Sequence, residues 1–253
     1  MSIDYKKYDK DGNELSLIPL AKRAKQANFY QRWLDDPGSV EPSVEDIKCE
    51  LQLQALNYWE PLSIKIKNTI EDELEDLDKM WQPYLRRDGI MNDREGIPLF
   101  SIPGLDIKNG ISMPDATKAM GRYLSELEFC HPTEAYHLLP SLHPLLDYWQ
   151  PLGRTFLVKL NAGGYFPPHK DTPLLTRNTF GVVAFLSDQY SLDQFEWEMH
   201  NKKMPIKQFT AYYCDTRQTH RTHSWAHNCI HLIMNIPKTW ENVMKVMSVT
   251  DKY

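Results

Sequence analysis

The chain has 253 residues, of which 42% are hydrophobic and 25% are charged, and this composition is typical of a folded globular protein. Its 29 basic and 34 acidic residues give a net charge of −5, which disfavours nucleic acid as a partner because such binding needs clustered positive charge. The sequence contains no apolar run of about eighteen residues and no hydrophobic N-terminal segment. We therefore expect no membrane association and a cytoplasmic location.

The first half of the chain, residues 1–150, is predicted to be a mainly helical N-terminal region that packs on the rest. Its apolar residues recur at helical spacing, and Ser43 and Pro114 stand where helices typically begin. The predicted helices cover residues 17–33, 43–59, 62–85, 115–129 and 134–148, the last interrupted by Pro140 and Pro144.

The second half, residues 151–253, changes to the period-two pattern of β-strands. Strands are predicted at residues 154–160, 179–186, 195–199, 205–213 and 229–236, followed by a helix at 240–249. Short polar turns join the strands, without crossover helices between them. This pattern indicates an antiparallel sheet folded on itself, integrated with the helical region into one α+β domain.

One segment of the second half predicts a metal site. The strand 154–160 runs into the turn Asn161-Ala162-Gly163-Gly164, and the pair His169 and Asp171 follows. Residues two apart in extended chain project to the same side, so one cation can bind both. A third ligand is expected from a later strand, where four histidines lie: His220, His223, His227 and His231.

The ligand types indicate which metal the site would hold. Two imidazoles and one carboxylate leave open positions on one face of a six-coordinate ion, an arrangement suited to non-haem Fe(II). The spacing of the four histidines is also compatible with a zinc-binding helix. We discount that alternative because residues 230–236 have the composition of a strand and are followed by Pro237.

Three motifs together resemble the 2-oxoglutarate- and Fe(II)-dependent dioxygenases. They are Asn-x-Gly-Gly-x-x-x-x-His-x-Asp from Asn161, Asp-Thr-x-x-x-His from Asp215, and Ile-His-Leu-Ile from Ile230. Within that superfamily the chain is most similar to the aspartyl/asparaginyl β-hydroxylase branch, which includes proline cis-hydroxylases and phage relatives. The resemblance covers residues 154–236 and implies a double-stranded β-helix (jelly-roll or cupin-like) core.

The resemblance also implies the ligands and the cofactors. The metal ligands would be His169, Asp171 and His220, because the family places an acidic residue, here Asp215, a few positions before the distal histidine. His223 is the alternative. The cofactors would be Fe(II), 2-oxoglutarate as cosubstrate, and O2.

The sequence departs from the family at one position. Family members usually carry an arginine that binds the distal carboxylate of 2-oxoglutarate, and Cys229 stands at that position here. A buried carboxylate needs a cationic partner, so another residue must replace the arginine or the cosubstrate differs. The candidates are Arg177, with Thr179 on the same face, Lys159 and His231.

The predicted function is hydroxylation of an unactivated C–H bond in a free amino acid or a protein side chain. The substrate would thus be a small molecule, a peptide or a protein. The alternative is a non-catalytic cupin-like metal-binding or interaction module, which the missing arginine keeps open.

Overall fold

A computed structural model describes residues 7–8, 14–15, 43–84, 93–149, 151–171, 178–187 and 194–250. Two facing antiparallel sheets form its centre, one of seven strands and one of four. Two further strand pairs among the described residues, Lys7–Tyr8 with Glu14–Leu15 and Phe100–Ser101 with His131–Pro132, lie outside these sheets. The predicted helix at residues 17–33 lies outside the described residues.

The seven-stranded sheet, called the large sheet below, combines strands from both halves of the chain. The strands are β1 (Lys7–Tyr8), β2 (Glu14–Leu15), β3 (Trp59–Lys65), β4 (Gln82–Pro83), β5 (Arg94–Pro98), β6 (Phe100–Ser101), β7 (His131–Pro132), β8 (Thr155–Leu160), β9 (Tyr165–His169), β10 (Thr179–Phe185), β11 (Phe195–Met199), β12 (Lys202–Lys203), β13 (Thr210–Cys214), β14 (His220–Ser224) and β15 (Cys229–Pro237). The order of the large sheet is β3-β13-β10-β15-β8-β5-β4, and that of the four-stranded small sheet is β12-β11-β14-β9.

From β8 onward the chain passes back and forth between the two sheets. Strands β8, β10, β13 and β15 belong to the large sheet, and β9, β11, β12 and β14 belong to the small sheet. This alternation of antiparallel strands winds the chain into a closed sandwich. The predicted α+β class with a double-stranded β-helix core is confirmed.

Most of the helices contribute residues to the apolar cluster on the outer face of the large sheet, whereas Met113–Met120 packs in a separate cluster with Ile102, Leu124 and Phe129. The helices are α1 (Val44–Leu53), α2 (Ile70–Glu75), α3 (Met113–Met120), α4 (Glu134–His137), α5 (His143–Tyr148) and α6 (Trp240–Val249), with short 3-10 turns at Ile107–Asn109, Glu126–Glu128 and Pro140–Leu142. No described helix is long and apolar enough to cross a membrane.

The predicted helix at residues 62–85 is wrong. That segment contains the end of strand β3, the short helix α2 and strand β4. Leu62 and Ile66 alternate with exposed neighbours, and β3 pairs with the edge of β13, so sheet pairing outweighs the helical spacing. The helix predicted at 115–129 ends early, at Met120, because Gly121 follows in the left-handed conformation with φ of 66°.

The helix predicted at 43–59 begins where expected but ends at Leu53, and the strand predicted at 205–213 is β13, Thr210–Cys214. Ser43 accepts the backbone N–H of Asp46 and the Asp46 carboxylate accepts that of Ser43, a reciprocal cap at the start of α1. Strand β11 and helix α6 have the predicted bounds, 195–199 and 240–249.

Strands β3, β8, β10, β13 and β15 of the large sheet divide their side chains between two clusters. On β8, Phe156, Val158 and Leu160 point between the sheets into what we call the interior cluster. Leu157 points to the opposite face, where it packs with helix residues in the outer cluster. This alternation is the direct consequence of the period-two geometry of a strand.

The Gly163–Gly164 turn positions the strand that carries the metal motif. Gly163 has a φ of 88°, and Gly164 lies so close to the neighbouring backbone that a Cβ atom there would come within 2.6 Å of the Asp93 carbonyl oxygen. The two glycines therefore serve different purposes, one conformational and one steric.

We expect Gly164→Ala to destabilise the fold more than Gly163→Asn does. The added Cβ at position 164 meets backbone atoms that cannot move independently, at a cost of about 1–3 kcal/mol. Asparagine tolerates the left-handed conformation that position 163 requires, and a Cβ there makes only an ordinary contact, 3.7 Å from Oδ2 of Asp93. Urea denaturation of both variants measures the difference, and equal losses of unfolding free energy would contradict this interpretation.

Candidate metal centre

Three side chains meet at the mouth of the sandwich. Ligand atoms of His169, Asp171 and His220 all lie within 4.8 Å of one another, and the two imidazole centroids are 4.2 Å apart. His169 ends β9, His220 begins β14, and the two residues face each other in the register of this antiparallel pair. The predicted ligand set is therefore brought together in space.

Backbone hydrogen bonds orient both imidazoles. Nδ1 of His169 lies 2.7 Å from the carbonyl oxygen of Pro167, and Nδ1 of His220 lies 2.9 Å from that of Gln218. A carbonyl oxygen can only accept, so each Nδ1 carries the proton and donates it. The lone pair of each Nε2 is then available, which is the tautomer that a metal ligand needs.

Burial differs within the triad. His220 is 6% exposed, whereas the side chains of His169 and Asp171 are 39% and 27% exposed. Burial lowers the pKa of His220, and the nearby His169 lowers it further, while Asp171 acts in the opposite direction. The site therefore has one buried ligand, held in its neutral form, and one side open to solvent.

The turn before β14 connects two of the three residues. The backbone N–H of Asp171 donates to the carbonyl oxygen of Thr216 at 2.9 Å, and Gln218 in the same turn holds His220. Asp215 accepts from the side chains of Arg217 and Gln218 at 2.5 and 2.9 Å. This hydrogen-bonded turn thus fixes the positions of both Asp171 and His220.

A buried acid from the first half of the chain anchors that turn. Glu50 on helix α1 is 1% exposed and forms ion pairs with Arg217 and with Lys238, the latter at 3.0 Å. A buried carboxylate requires such partners. The helical region is consequently tied by charge to the turn that positions the triad.

A second buried ion pair lies beside the site. Glu126 accepts from Nε and Nη2 of Arg154 at 2.8 and 3.1 Å, and Nη1 of Arg154 donates to the carbonyl oxygen of Ile111. Burial raises the pKa of Glu126, whereas Arg154 lowers it and Asp171 raises it. Asp171 and this ion pair therefore lie close enough to influence each other.

The predicted cosubstrate residue Lys159 faces away from the site. Its ammonium group pairs with Glu95 at 2.8 Å and lies 4.4 Å from the ring centroid of Trp81, in the outer cluster. On β8 the interior face belongs to Val158 and Leu160. This placement argues against Lys159 as a clamp for a carboxylate between the sheets.

The other predicted cosubstrate residues lie in different parts of the molecule. His231 is buried in the interior, with its ring 5.9 Å from that of Trp197, and its Nδ1 has no hydrogen-bond partner. Thr179 is buried at the start of β10 and lines a cavity of about 10 Å³ with Asp215 and Lys238. Arg177 lies outside the described residues.

The histidine alternatives differ in the strand and the sheet face on which they lie. His220 and His223 lie on strand β14, and His231 lies on β15, so the zinc-helix alternative is wrong. His220 is opposite Met199 of the interior cluster, whereas His223 is opposite Glu196, and its ring packs 4.2 Å from that of Trp225. His223 therefore points to the other face of the small sheet.

Sequence reasoning missed several polar groups of the interior. Arg154 has the same parity as Phe156 and Val158, so its inward direction was readable from the sequence. Arg94 carried no such signal, because its face is evident only from the pairing of β5 with β8.

No protein-family model matches the chain, and a comparison with curated proteins finds no match. Solved structures similar to it include a Trichoplax adhaerens prolyl hydroxylase in complex with a hypoxia inducible factor peptide (11% identity, TM-score 0.42, covering 79% of this chain and 93% of that one). A Pseudomonas putida prolyl-4-hydroxylase is 12% identical (TM-score 0.41, coverage 72% and 94%), and an RmlC-like cupin from Desulfovibrio desulfuricans is also 12% identical (TM-score 0.26, coverage 33% and 71%).

We expect His220→Ala to abolish high-affinity Fe(II) binding and His223→Ala to preserve it. The two histidines share a strand but face opposite sides of the sheet, so the second is a matched control for the first. Anaerobic calorimetric titration with Fe(II) measures binding, and circular dichroism verifies the fold. Loss of binding in His223→Ala with retention in His220→Ala would show that the ligand assignment is wrong.

We also expect His231 to make the fold sensitive to acid. Burial lowers the pKa of His231 to about 3 from a usual value near 6.5, so the unfolded chain binds one proton more than the folded chain between these values. Its contribution to stability is present above about pH 6.5 and is lost as the pH falls. Between pH 6 and 4 the unfolding free energy of the wild-type protein should fall more steeply than that of His231→Phe, by about 1.4 kcal/mol per pH unit. Identical pH profiles of urea denaturation would contradict this.

Proposed function

We propose that this protein is an Fe(II)- and 2-oxoglutarate-dependent dioxygenase that hydroxylates an unactivated C–H bond. The observation that carries the proposal is the triad of His169, Asp171 and His220, in which both Nε2 atoms are available to a metal. Two imidazoles and one carboxylate suit Fe(II) and leave positions for a cosubstrate and O2. When bound, iron would couple oxidative decarboxylation of 2-oxoglutarate to succinate and CO2 with hydroxylation of the substrate.

The residues around the triad support this chemistry by orientation and exclusion of water. The Pro167 and Gln218 carbonyl groups fix the imidazoles, and Thr216 fixes Asp171. The aromatic interior contacts the buried side of the site, where the Trp197 ring stacks 6.2 Å from that of His220, and it would keep water from that side. The exposed faces of His169 and Asp171 give the substrate access from solvent.

The substrate we propose is a free amino acid or a protein side chain. The support is the sequence resemblance to the β-hydroxylase branch, together with the net negative charge of the chain, which disfavours nucleic acid. A second candidate function is a non-catalytic metal-binding or interaction module. Cys229, which is fully buried where the family carries arginine, favours that alternative.

Succinate formation distinguishes the two functions. We expect the wild-type protein, supplied with Fe(II), ascorbate and O2, to convert 2-oxoglutarate to succinate, and to do so faster with pools of free amino acids or peptides. His220→Ala should reduce the rate to that of buffer, and His223→Ala should retain it. If the wild-type protein binds iron but forms no succinate with any pool, the binding-module function is favoured.

A further inference from the structure

Three polar side chains between the two sheets have buried atoms without a hydrogen-bond partner among the described residues. The atoms are Nε1 of Trp197 on β11, Oγ1 of Thr222 on β14 and Nδ1 of His231 on β15, and the three residues are 4%, 3% and 1% exposed. A buried polar atom without a partner destabilises a fold, so proteins rarely keep several of them in one place.

The three residues are neighbours around the indole ring of Trp197. Thr222 is directly opposite Trp197 in the pairing of β11 with β14, and the ring of His231 lies 5.9 Å from that of Trp197, at 82°. Strands β11 and β14 belong to the small sheet, whereas β15 belongs to the large sheet. Polar groups from both facing sheets therefore line one part of the interior.

This part of the interior adjoins the triad. The ring of Trp197 stacks on that of His220, with 6.2 Å between the centroids and 9° between the planes. Thr222 follows His220 by two residues on β14, so both side chains project from the same face of the small sheet. A short-chain acid chelated at the triad would therefore place its distal end among Trp197, Thr222 and His231.

All three groups form hydrogen bonds without carrying a charge. An indole N–H only donates, a hydroxyl group donates and accepts, and a neutral imidazole has one donor nitrogen and one acceptor nitrogen. Burial lowers the pKa of His231 to about 3, so its ring is neutral near pH 7. Such groups can bind a carboxylate, because several hydrogen bonds together stabilise its charge. They can also bind an amide, whose N–H groups donate to the hydroxyl or to the imidazole.

We propose that Trp197, Thr222 and His231 bind the distal polar group of the cosubstrate through uncharged hydrogen bonds, and that they recognise its oxygen atoms rather than its negative charge. This assignment rests on the proposed function. It explains how Cys229 can stand where the family carries arginine. It also gives the site a specificity that a cationic clamp would not have, since a neutral amide is accepted at the distal end.

Three oxamic acids that share the metal-chelating end test the proposal on the wild-type protein. N-oxalylglycine ends in a carboxylate, N-oxalylglycinamide ends in a neutral amide, and N-ethyloxamate ends in a methyl group. Anaerobic calorimetric titration of the Fe(II)-loaded protein measures the affinity for each. We expect the carboxylate and the amide to bind within about tenfold of each other. Both should bind on the order of a hundredfold more tightly than N-ethyloxamate, equivalent to about 2.8 kcal/mol.

Two threonine variants separate ligand binding from structural support. Thr222→Val removes a hydroxyl group without a partner, so it should preserve the unfolding free energy and weaken both polar compounds about tenfold, with N-ethyloxamate unchanged. Thr155→Val is the matched control, because the buried hydroxyl of Thr155 donates to the carbonyl oxygen of Gly153 at 3.0 Å. It should lower the unfolding free energy and change no affinity. His231→Phe should weaken both polar compounds, and iron binding should persist in every variant.

A cationic clamp such as Arg177 predicts a different order of affinities, because an amide leaves a buried cation without its counterion. If N-oxalylglycinamide binds as weakly as N-ethyloxamate, the proposal is overturned. Equal affinities for all three compounds would overturn it as well, since the distal end would then not be recognised. The same holds if Thr222→Val loses unfolding free energy and keeps all three affinities. If the iron-loaded wild-type protein binds none of the compounds, the proposed function itself fails.

Discussion

The antiparallel pairing of β9 with β14 is the constraint on which the candidate site depends. It places His169 and His220 opposite each other at the end of the small sheet, and Asp171 follows two residues after the first. Residues directly opposite in such a pair are about 5 Å apart, so the register itself creates the spacing that one ion requires. Slippage by one residue would turn one imidazole to the other face and destroy the site.

Several contacts reinforce this register from outside the pair. Gly163 and Gly164 allow β9 to begin close to Asp93, and the 215–218 turn fixes where β14 begins. Glu50 and its cationic partners hold that turn against helix α1. The geometry of the triad therefore depends on residues from both halves of the chain.

Much of the second half could be predicted from the sequence, because strands β8, β10, β11 and β15 are short segments rich in β-forming residues between clear turns. The His169 and Asp171 pair was also readable, since its spacing is local. The first half was predicted less well. Strands β3 and β5 form because the edges of β13 and β8 are available to pair with them. The local hydrophobic pattern of a segment does not indicate whether a strand distant in sequence will pair with it. The inward direction of Arg94 and the outward direction of Lys159 depend on the same long-range pairing.

Strands β3 and β5 lie against β13 and β8, the outermost core strands of the large sheet. Without the first half of the chain, β13 and β8 would each present one edge of unpaired backbone N–H and C=O groups. Exposed edges of this kind pair readily with other molecules and lead to aggregation. The added strands thus protect the sheet from intermolecular association. A shortened chain that keeps only the motif-bearing segment would retain all three triad residues but expose the edges of β13 and β8 to intermolecular pairing.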